Sequence, residues 1–139
     1  MKATVTWAGA RTFVGQPESG HAIAFGTAHG DTPKPGPSPM ELLLIGTGGC
    51  AAWDVIAILE KGREPVTDAR VEIDADRADT DPKVFTRIHL HFIVSGRGLN
   101  PAKVERAVAL SAEKYCSASI MMSKTATVTH VYQVIDTAA

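Results

Sequence analysis

A long apolar segment that begins at Ser38 constrains the fold of this chain more than any other feature. Ser38 and Glu41 flank Pro39 in the pattern of a capping box, in which the serine accepts from the Glu41 amide and the glutamate reaches back. We therefore predict a helix over residues 38–61. Its apolar side chains point in every direction: Leu42, Leu43, Leu44, Ile45, Trp53, Val55, Ile56, Ile58 and Leu59. A helix that is apolar all round is predicted to be buried on all sides.

Glycines and carboxylates interrupt this segment, and they predict which contacts the helix makes. Gly46, Gly48 and Gly49 are costly in a helix interior, at about 1 kcal/mol each relative to alanine, which indicates that another backbone packs close there. Asp54 and Glu60 would be expensive to bury without partners, so we expect partners across a helix or subunit boundary. A chain of 139 residues has the length of one domain. Because one domain of this size has few elements to surround the helix, burying it on all sides calls for a second subunit.

The remaining sequence predicts an α+β fold in a single domain over residues 1–139. The predicted elements are an N-terminal β-meander (1–29), the central helix (38–61), strands (69–96), a second helix (100–116) and a C-terminal strand (125–136). In the strands, residues alternate between apolar and polar, so Ile88, Leu90, Phe92 and Val94 are predicted to face inward. Arg87, His89 and His91 are predicted to face solvent. Asn100 is the predicted cap of the second helix.

Charge and composition exclude several classes of partner. The 14 Lys and Arg residues nearly balance the 15 Asp and Glu residues, so nothing predicts binding to nucleic acid. Glu41 and Asp54 within the apolar segment, and the lack of basic residues before it, favour a buried soluble helix over a membrane span. The N-terminus has no long apolar stretch behind a basic start, so we expect a cytoplasmic protein with reduced cysteines.

Cys50 and Cys116 are the residues most able to do chemistry, and each has two interpretations. Either cysteine could be a small apolar core residue. If both are functional, Cys50 attacks and Cys116 closes a disulfide, because a thiolate is disfavoured at a helix C-terminus, where we place Cys116. A buried, reactive Cys50 needs a nearby cation. Neither cysteine belongs to a CxxC motif, and His89 and His91 lack an evident partner, so we predict no metal site and no cofactor.

Three segments carry a resemblance that is far more specific. Residues 36–50, which contain Gly48-Gly49-Cys50, together with Tyr115-Cys116-Ser117 and residues 120–124, resemble the OsmC/Ohr family and within it the YhfA-like branch. The resemblance implies an intertwined homodimer. In such a dimer, long central helices are buried between mixed sheets that are built from both chains.

The resemblance also implies thiol-dependent reduction of organic hydroperoxides in oxidative-stress defence. Cys50 would attack the peroxide to give a sulfenic acid, Cys116 would condense with it, and an external dithiol or lipoyl-type reductant would restore both thiols. In the family an arginine of the N-terminal meander keeps the first thiol ionised, and Arg11 is the candidate here. In the family a glutamate that directly follows the proline orients this arginine. This chain has Met40 at that position, and Glu41, the candidate for this role here, stands one position later.

This departure leaves an alternative open. A dimeric ligand-binding or redox-sensing module could keep the fold and the cleft without efficient peroxidase turnover. If the cleft is lined by Trp53, Met121 and Met122, it would favour an apolar hydroperoxide over hydrogen peroxide. These three residues are our candidate substrate-binding residues.

Overall fold

The N-terminal strands form a three-stranded antiparallel sheet with little burial. The computed structural model describes residues 1–138, and in it β1 (Ala3–Trp7), β2 (Thr12–Pro17) and β3 (Ile23–Gly26) pair in the order β1-β2-β3. The rings of Phe13 and Phe25, which are register partners, stack with their centroids 5.9 Å apart. This sheet belongs to a compact unit of Met1–Ile45, and Gly46–Ala139 form a second unit. The single-domain organisation therefore stays a prediction.

Two glycines hold the loop of residues 30–37, which contains three prolines, against this sheet. A Cβ atom at Gly36 would overlap the backbone carbonyl of Ala24, and one at Gly26 would overlap that of Arg11. Gly26 also has a positive φ of 148° and donates its N–H to the carbonyl of Pro37 at 2.9 Å. The close backbone approach thus fixes the chain immediately before the central helix.

The central helix, α1 (Pro39–Lys61), begins with the predicted capping box. The amide of Glu41 donates to Ser38 Oγ at 3.2 Å, and the amide of Ser38 donates to Glu41 Oε1 at 3.0 Å. Both orphan N–H groups are therefore satisfied by side chains, which confirms this prediction.

A single chain buries α1 along one face. Its buried residues form one stripe: Thr47, Gly48, Ala51, Val55 and Leu59. Side chains on other faces are exposed, among them Leu43 at 46%, Ile45 at 58% and Trp53 at 72%, and Glu60 is exposed as well. Burial of α1 on all sides by a second subunit stays a prediction, because the elements of one chain cover only one face of this helix.

The glycines of α1 follow the same division. A Cβ atom at Gly48 would collide with the tip of the Ile73 side chain, whereas nothing lies within 4 Å of a Cβ atom built at Gly46 or Gly49. Of these three glycines of α1, only Gly48 lies at a close contact with another described residue. The partner of that contact is a side chain of a strand, where we expected a backbone.

The second sheet supplies most of the core. It contains β4 (Val66–Arg77), β5 (Phe85–Gly96) and β6 (Thr127–Asp136) in that order, with β4 antiparallel and β6 parallel to β5. The predicted alternation on β5 is confirmed, because its inward residues are all buried: Ile88, Leu90, Phe92 and Val94. On the opposite face, Arg87 binds Asp74 at 2.6 Å and Asp76 at 2.7 Å. The α+β class is thus confirmed.

Helices connect β5 to β6, as a parallel pairing requires. Asn100 Oδ1 accepts from the Ala102 amide at 3.0 Å and caps α2 (Pro101–Leu110), as predicted. The α-helix ends earlier than predicted: a π-helical turn, Ser111–Tyr115, follows it, and α3 (Ser117–Met122) begins a new helix. Cys116 therefore caps the start of α3, whereas we predicted it at the C-terminus of the second helix.

Candidate functional site

The structure brings the two cysteines together. Cys50 lies half-buried on α1 and Cys116 lies fully buried at the start of α3, and both are free thiols. Asp54 follows Cys50 by one helical turn, so the two side chains lie on the same face of α1. The sulfur atoms of both cysteines and a carboxylate oxygen of Asp54 all lie within 4.8 Å of one another. We call these three residues the thiol site.

The π-helical turn positions Cys116 in this site. The Cys116 amide donates to the carbonyl of Ser111, five residues earlier, at 2.8 Å. The chain then leaves the helical conformation at Cys116, with φ −74° and ψ 96°, and re-enters it in α3. This change of direction places the sulfur 4.0 Å from the carbonyl of Thr47 on α1.

The surroundings of Cys116 raise the pKa of its thiol. Burial raises its pKa, and the neighbouring Cys50 raises it further, because two thiolates would repel each other. Ser119 acts in the opposite direction: its amide donates to Cys116 Sγ at 3.4 Å and lowers the pKa. The net shift is upward. Burial therefore disfavours the Cys116 thiolate, where we had expected a helix C-terminus to do so. The roles of attacking and resolving cysteine stay predictions.

Asp54 is held by a buried serine. Ser111 Oγ lies 3.4 Å from Asp54 Oδ2 and 3.3 Å from the carbonyl of Ala51, and Ser111 itself is fully buried. This contact crosses from the π-helical turn to α1 and is the partner across a helix boundary that we expected for Asp54. Sequence reasoning did not include Asp54 in the site. The signal that could have found it is its spacing of four residues from Cys50 on one helix.

The predicted cation and carboxylate lie in the N-terminal unit. Arg11 is exposed at the turn between β1 and β2, where its guanidinium donates to the carbonyl of Ala10 at 3.2 Å. No carboxylate pairs with Arg11 among residues 1–138. Glu41 forms an ion pair with Lys34 and accepts from the Ser38 amide, and these contacts lower its pKa to about 2. The roles of Arg11 and Glu41 toward Cys50 stay predictions.

An open hollow of about 520 Å³ adjoins the thiol site at Asp54. Aromatic, aliphatic and basic side chains line it together with that carboxylate: Trp53, Ile58, Lys61, Arg106, Leu110 and Tyr115. Met121 is 69% exposed and Met122 half-buried, and neither lines this hollow. Of the three predicted substrate-binding residues, Trp53 lines the hollow. A binding role for any of the three stays a prediction.

Comparison with known proteins identifies relatives over nearly the whole chain. A family model described as OsmC-like protein matches residues 29–131. Protein YhfA of Escherichia coli strain K12 is 48% identical over 135 residues, which cover 97% of this chain and 98% of YhfA.

Solved structures share the fold. A hypothetical protein from Aquifex aeolicus VF5 has a TM-score of 0.81 at 27% identity over 97% of each chain. The organic hydroperoxide resistance protein OhrB of Bacillus subtilis has a TM-score of 0.63 at 17% identity, covering 96% of this chain and 98% of OhrB, so that likeness concerns the fold alone. The resemblance seen around Cys50 and Cys116 is confirmed. The chain belongs to the OsmC-like protein family.

Proposed function

We propose that this protein reduces organic hydroperoxides with a pair of thiols, Cys50 attacking and Cys116 resolving. The observation that carries the proposal is the approach of two sulfur atoms, far apart in the chain, to within 4.8 Å of each other. A disulfide needs a separation of roughly 2 Å, which side-chain rotation and small backbone shifts can supply from this starting distance.

The reaction has two chemical steps before the reductant acts. The Cys50 thiolate attacks one peroxide oxygen, the O–O bond breaks, and the alkoxide takes up a proton to leave as an alcohol, so that Cys50 becomes a sulfenic acid. The Cys116 sulfur then bonds to the Cys50 sulfur, and the sulfenic hydroxyl leaves with the Cys116 proton as water. An external dithiol reduces the disulfide by thiol–disulfide exchange, and a lipoyl-type dithiol is our candidate.

The surroundings of the two sulfurs support this division of roles. Cys50 is half-buried and can meet a substrate, whereas Cys116 is fully buried and its pKa is raised by that burial. A reactive thiol at a partly buried position needs a nearby cation that favours its thiolate. We propose that Arg11 is that cation.

The hollow beside Asp54 supports an apolar substrate. Its lining combines Trp53, Ile58, Leu110 and Tyr115 with a few polar groups, the composition that small-molecule sites generally have. We propose that an organic hydroperoxide binds there with its peroxide group toward Cys50.

A homodimer is part of the proposal. Leu43, Ile45 and Trp53 of α1 are exposed in the single chain, although large exposed apolar patches on soluble proteins mark interaction sites. A second copy of the chain would cover them. Among the described residues α1 is also the one helix long and apolar enough to cross a membrane, but a core helix passes the same test. We propose a soluble, cytoplasmic dimer.

One observation favours the alternative, a ligand-binding or redox-sensing module. Met40 occupies the position of the family's glutamate, and Glu41 is engaged by Lys34 and Ser38. If no carboxylate orients Arg11, the thiol pair would react slowly and report on oxidation without rapid turnover.

Stopped-flow kinetics with cumene hydroperoxide and dihydrolipoamide test the proposal. We expect turnover in the unmodified protein and none in Cys50→Ser. Cys116→Ser should consume one equivalent of peroxide per chain and leave a sulfenic acid that dimedone traps. Equal rates in the unmodified protein and Cys50→Ser would overturn the peroxidase function. A single slow oxidation to the disulfide without turnover would favour the redox-sensing module.

The pH dependence of Cys50 alkylation tests the role of Arg11. In a Cys116→Ser background, only Cys50 reacts with iodoacetamide. If Arg11 ionises Cys50, Arg11→Met should move the alkylation midpoint to higher pH, because an opposite charge within about 4–6 Å favours the thiolate. Lys2, an exposed cation at the other end of the β1–β2 hairpin, provides a matched control, and Lys2→Met should leave the midpoint in place. Equal midpoints in the Arg11 variant and the unmodified protein would exclude Arg11 as the cation.

A further inference from the structure

The thiol site contains a carboxylate that the peroxidase chemistry does not use. Attack by Cys50 and resolution by Cys116 require two sulfur atoms, yet Asp54 brings a third ligand atom within 4.8 Å of both. A positive ion placed among the three side chains would be in reach of all three ligand atoms.

The arrangement of the three ligand atoms suits a tetrahedral metal ion. Zinc binds thiolate sulfur at about 2.3 Å and carboxylate oxygen at about 2.0–2.2 Å, so its tetrahedral ligands lie about 3.5–3.8 Å from one another. The sulfur and oxygen atoms of the thiol site already approach within 4.8 Å. Small side-chain rotations therefore bring all three into bonding distance of one ion.

Two buried serines add the contacts that orient metal ligands. Ser111 Oγ lies 3.4 Å from Asp54 Oδ2, and the Ser119 amide donates to Cys116 Sγ at 3.4 Å. Hydrogen bonds of this kind hold ligands in place at metal sites. Neither serine is exposed, so solvent does not compete for these bonds.

The side chain of Ser119 lies beside the Cys116 sulfur and is buried, at 3% exposure. A hydroxyl at this position can donate to a thiolate and hold it in place at a metal site.

We propose that the reduced protein binds a thiophilic divalent metal ion, with Zn²⁺ as the representative, through Cys50, Asp54 and Cys116. Water occupies the fourth position. The inference deepens the proposed function by adding a regulator of the same two thiols, and only this regulatory consequence rests on that function.

The binding step and its reversal balance chemically. When both cysteines are protonated, Zn²⁺ displaces two thiol protons and joins the Asp54 carboxylate, so two protons leave for each ion bound. A hydroperoxide then takes two electrons from the two thiolates and two protons from solvent, and gives an alcohol, water and the disulfide. The disulfide removes two of the three ligands, and the ion is released. Metal binding and peroxide reduction therefore exclude each other.

Cobalt provides a direct measurement, because a thiolate-to-cobalt charge-transfer band reports sulfur ligands. We expect that Co²⁺, added without oxygen to the reduced, metal-free full-length protein, gives this band with one ion bound per chain. Zn²⁺ should then remove the band. The disulfide form of the same protein should show no band. Absence of a charge-transfer band in the fully reduced protein would overturn the proposal.

Variants distinguish a three-ligand metal site from binding by the two thiols alone. Asp54→Asn should weaken Zn²⁺ affinity, measured by competition with a chromophoric chelator, by at least ~10-fold, and Ser111→Ala by about 10-fold. Glu60→Gln alters an exposed carboxylate on the same helix and is the matched control, for which we expect unchanged affinity. Equal affinity in Asp54→Asn and the unmodified protein would show that two thiols alone hold the ion, which contradicts the proposal.

Failure of this inference can be told apart from failure of the proposed function. Peroxide turnover is assayed in the presence of a metal chelator, and metal binding is assayed without peroxide. Turnover without a cobalt band overturns the metal site alone. A cobalt band that depends on Asp54, without turnover, supports the metal site and overturns the peroxidase.

Discussion

Residues 1–45 bury almost none of their side chains, whereas residues 46–138 contain a packed core. In the first unit only Gly26 is buried, and Val5, Trp7, Ile23 and Ile45 are all more than 40% exposed. The second unit holds every buried apolar side chain among the described residues. The hydrophobic effect that stabilises the second unit is thus nearly absent from the first. The exposed apolar side chains of the N-terminal unit are ones that the proposed homodimer would cover.

A charge on the exposed face of α1 tests this conclusion with the largest expected effect. Ile45→Glu should weaken dimerisation by more than ~100-fold, because a carboxylate would be buried at the interface without a partner. Sedimentation velocity over a range of concentrations measures the change. Val84→Glu, which alters an exposed apolar side chain of the second unit, is the control. A dimer that tolerates Ile45→Glu would show that this part of α1 is solvated.

Truncation of one large side chain in each unit compares their burial directly. Phe92→Ala should lower the free energy of unfolding by about 3–5 kcal/mol, because Phe92 is fully buried in the second sheet. Trp7 is 66% exposed, and Trp7→Ala should cost less than about 1 kcal/mol if the chain acts alone. Urea denaturation at two protein concentrations measures both. A cost for Trp7→Ala that approaches the cost for Phe92→Ala would mean that a second copy buries Trp7.

Two neighbouring glycines of α1 sharpen the comparison at the level of single atoms. Gly48→Ala should stabilise the protein less than Gly49→Ala does, because the new methyl group would displace the tip of the Ile73 side chain. Gly49→Ala should stabilise the isolated chain by about 1 kcal/mol, because nothing lies near the new atom and alanine favours the helix. Thermal denaturation of both variants gives the signs. Destabilisation by Gly49→Ala would locate a close contact with the second subunit at that residue.

The smallest effect concerns the start of α1. The pKa of Glu41 falls from 4.5 in the unfolded chain to about 2 in the folded one, because Lys34 and Ser38 bind the carboxylate. A lowered pKa means that the stabilisation is complete above pH 4.5 and is lost as the pH falls toward 2. Glu41→Gln should therefore be less stable than the unmodified protein at neutral pH and lose less stability on acidification. Melting temperatures from pH 7 to pH 2 measure this, and parallel curves would contradict it.

Local patterns in the sequence were sufficient for much of the fold. The capping box at Ser38, the cap at Asn100 and the alternation along β5 are set by residues within a few positions of each other, and each is confirmed. The family could be recognised because residues 36–50 and 115–117 keep a specific pattern around both cysteines.

The errors came from features that no local pattern encodes. All-round apolarity of α1 indicated burial on every side, but a sequence does not say which chain covers which face. Asp54 was seen as a carboxylate that needs a partner, yet its approach to Cys116 depends on the packing of α1 against the segment after α2. The π-helical turn that creates this approach has no recognised sequence signature, so the start of α3 at Cys116 was missed.

The position of the Cys116 sulfur depends on the number of residues in the π-helical turn of Ser111–Tyr115. One residue more than an α-helical turn requires is accommodated there, and each helical residue rotates the chain by about 100°. Deleting Ala112 would leave every side chain of the thiol site in the sequence, yet it would swing the Cys116 sulfur to another side of the helix axis. Insertions or deletions between Leu110 and Cys116 would thus separate the two sulfur atoms, with the same effect on the thiol site as replacing a cysteine.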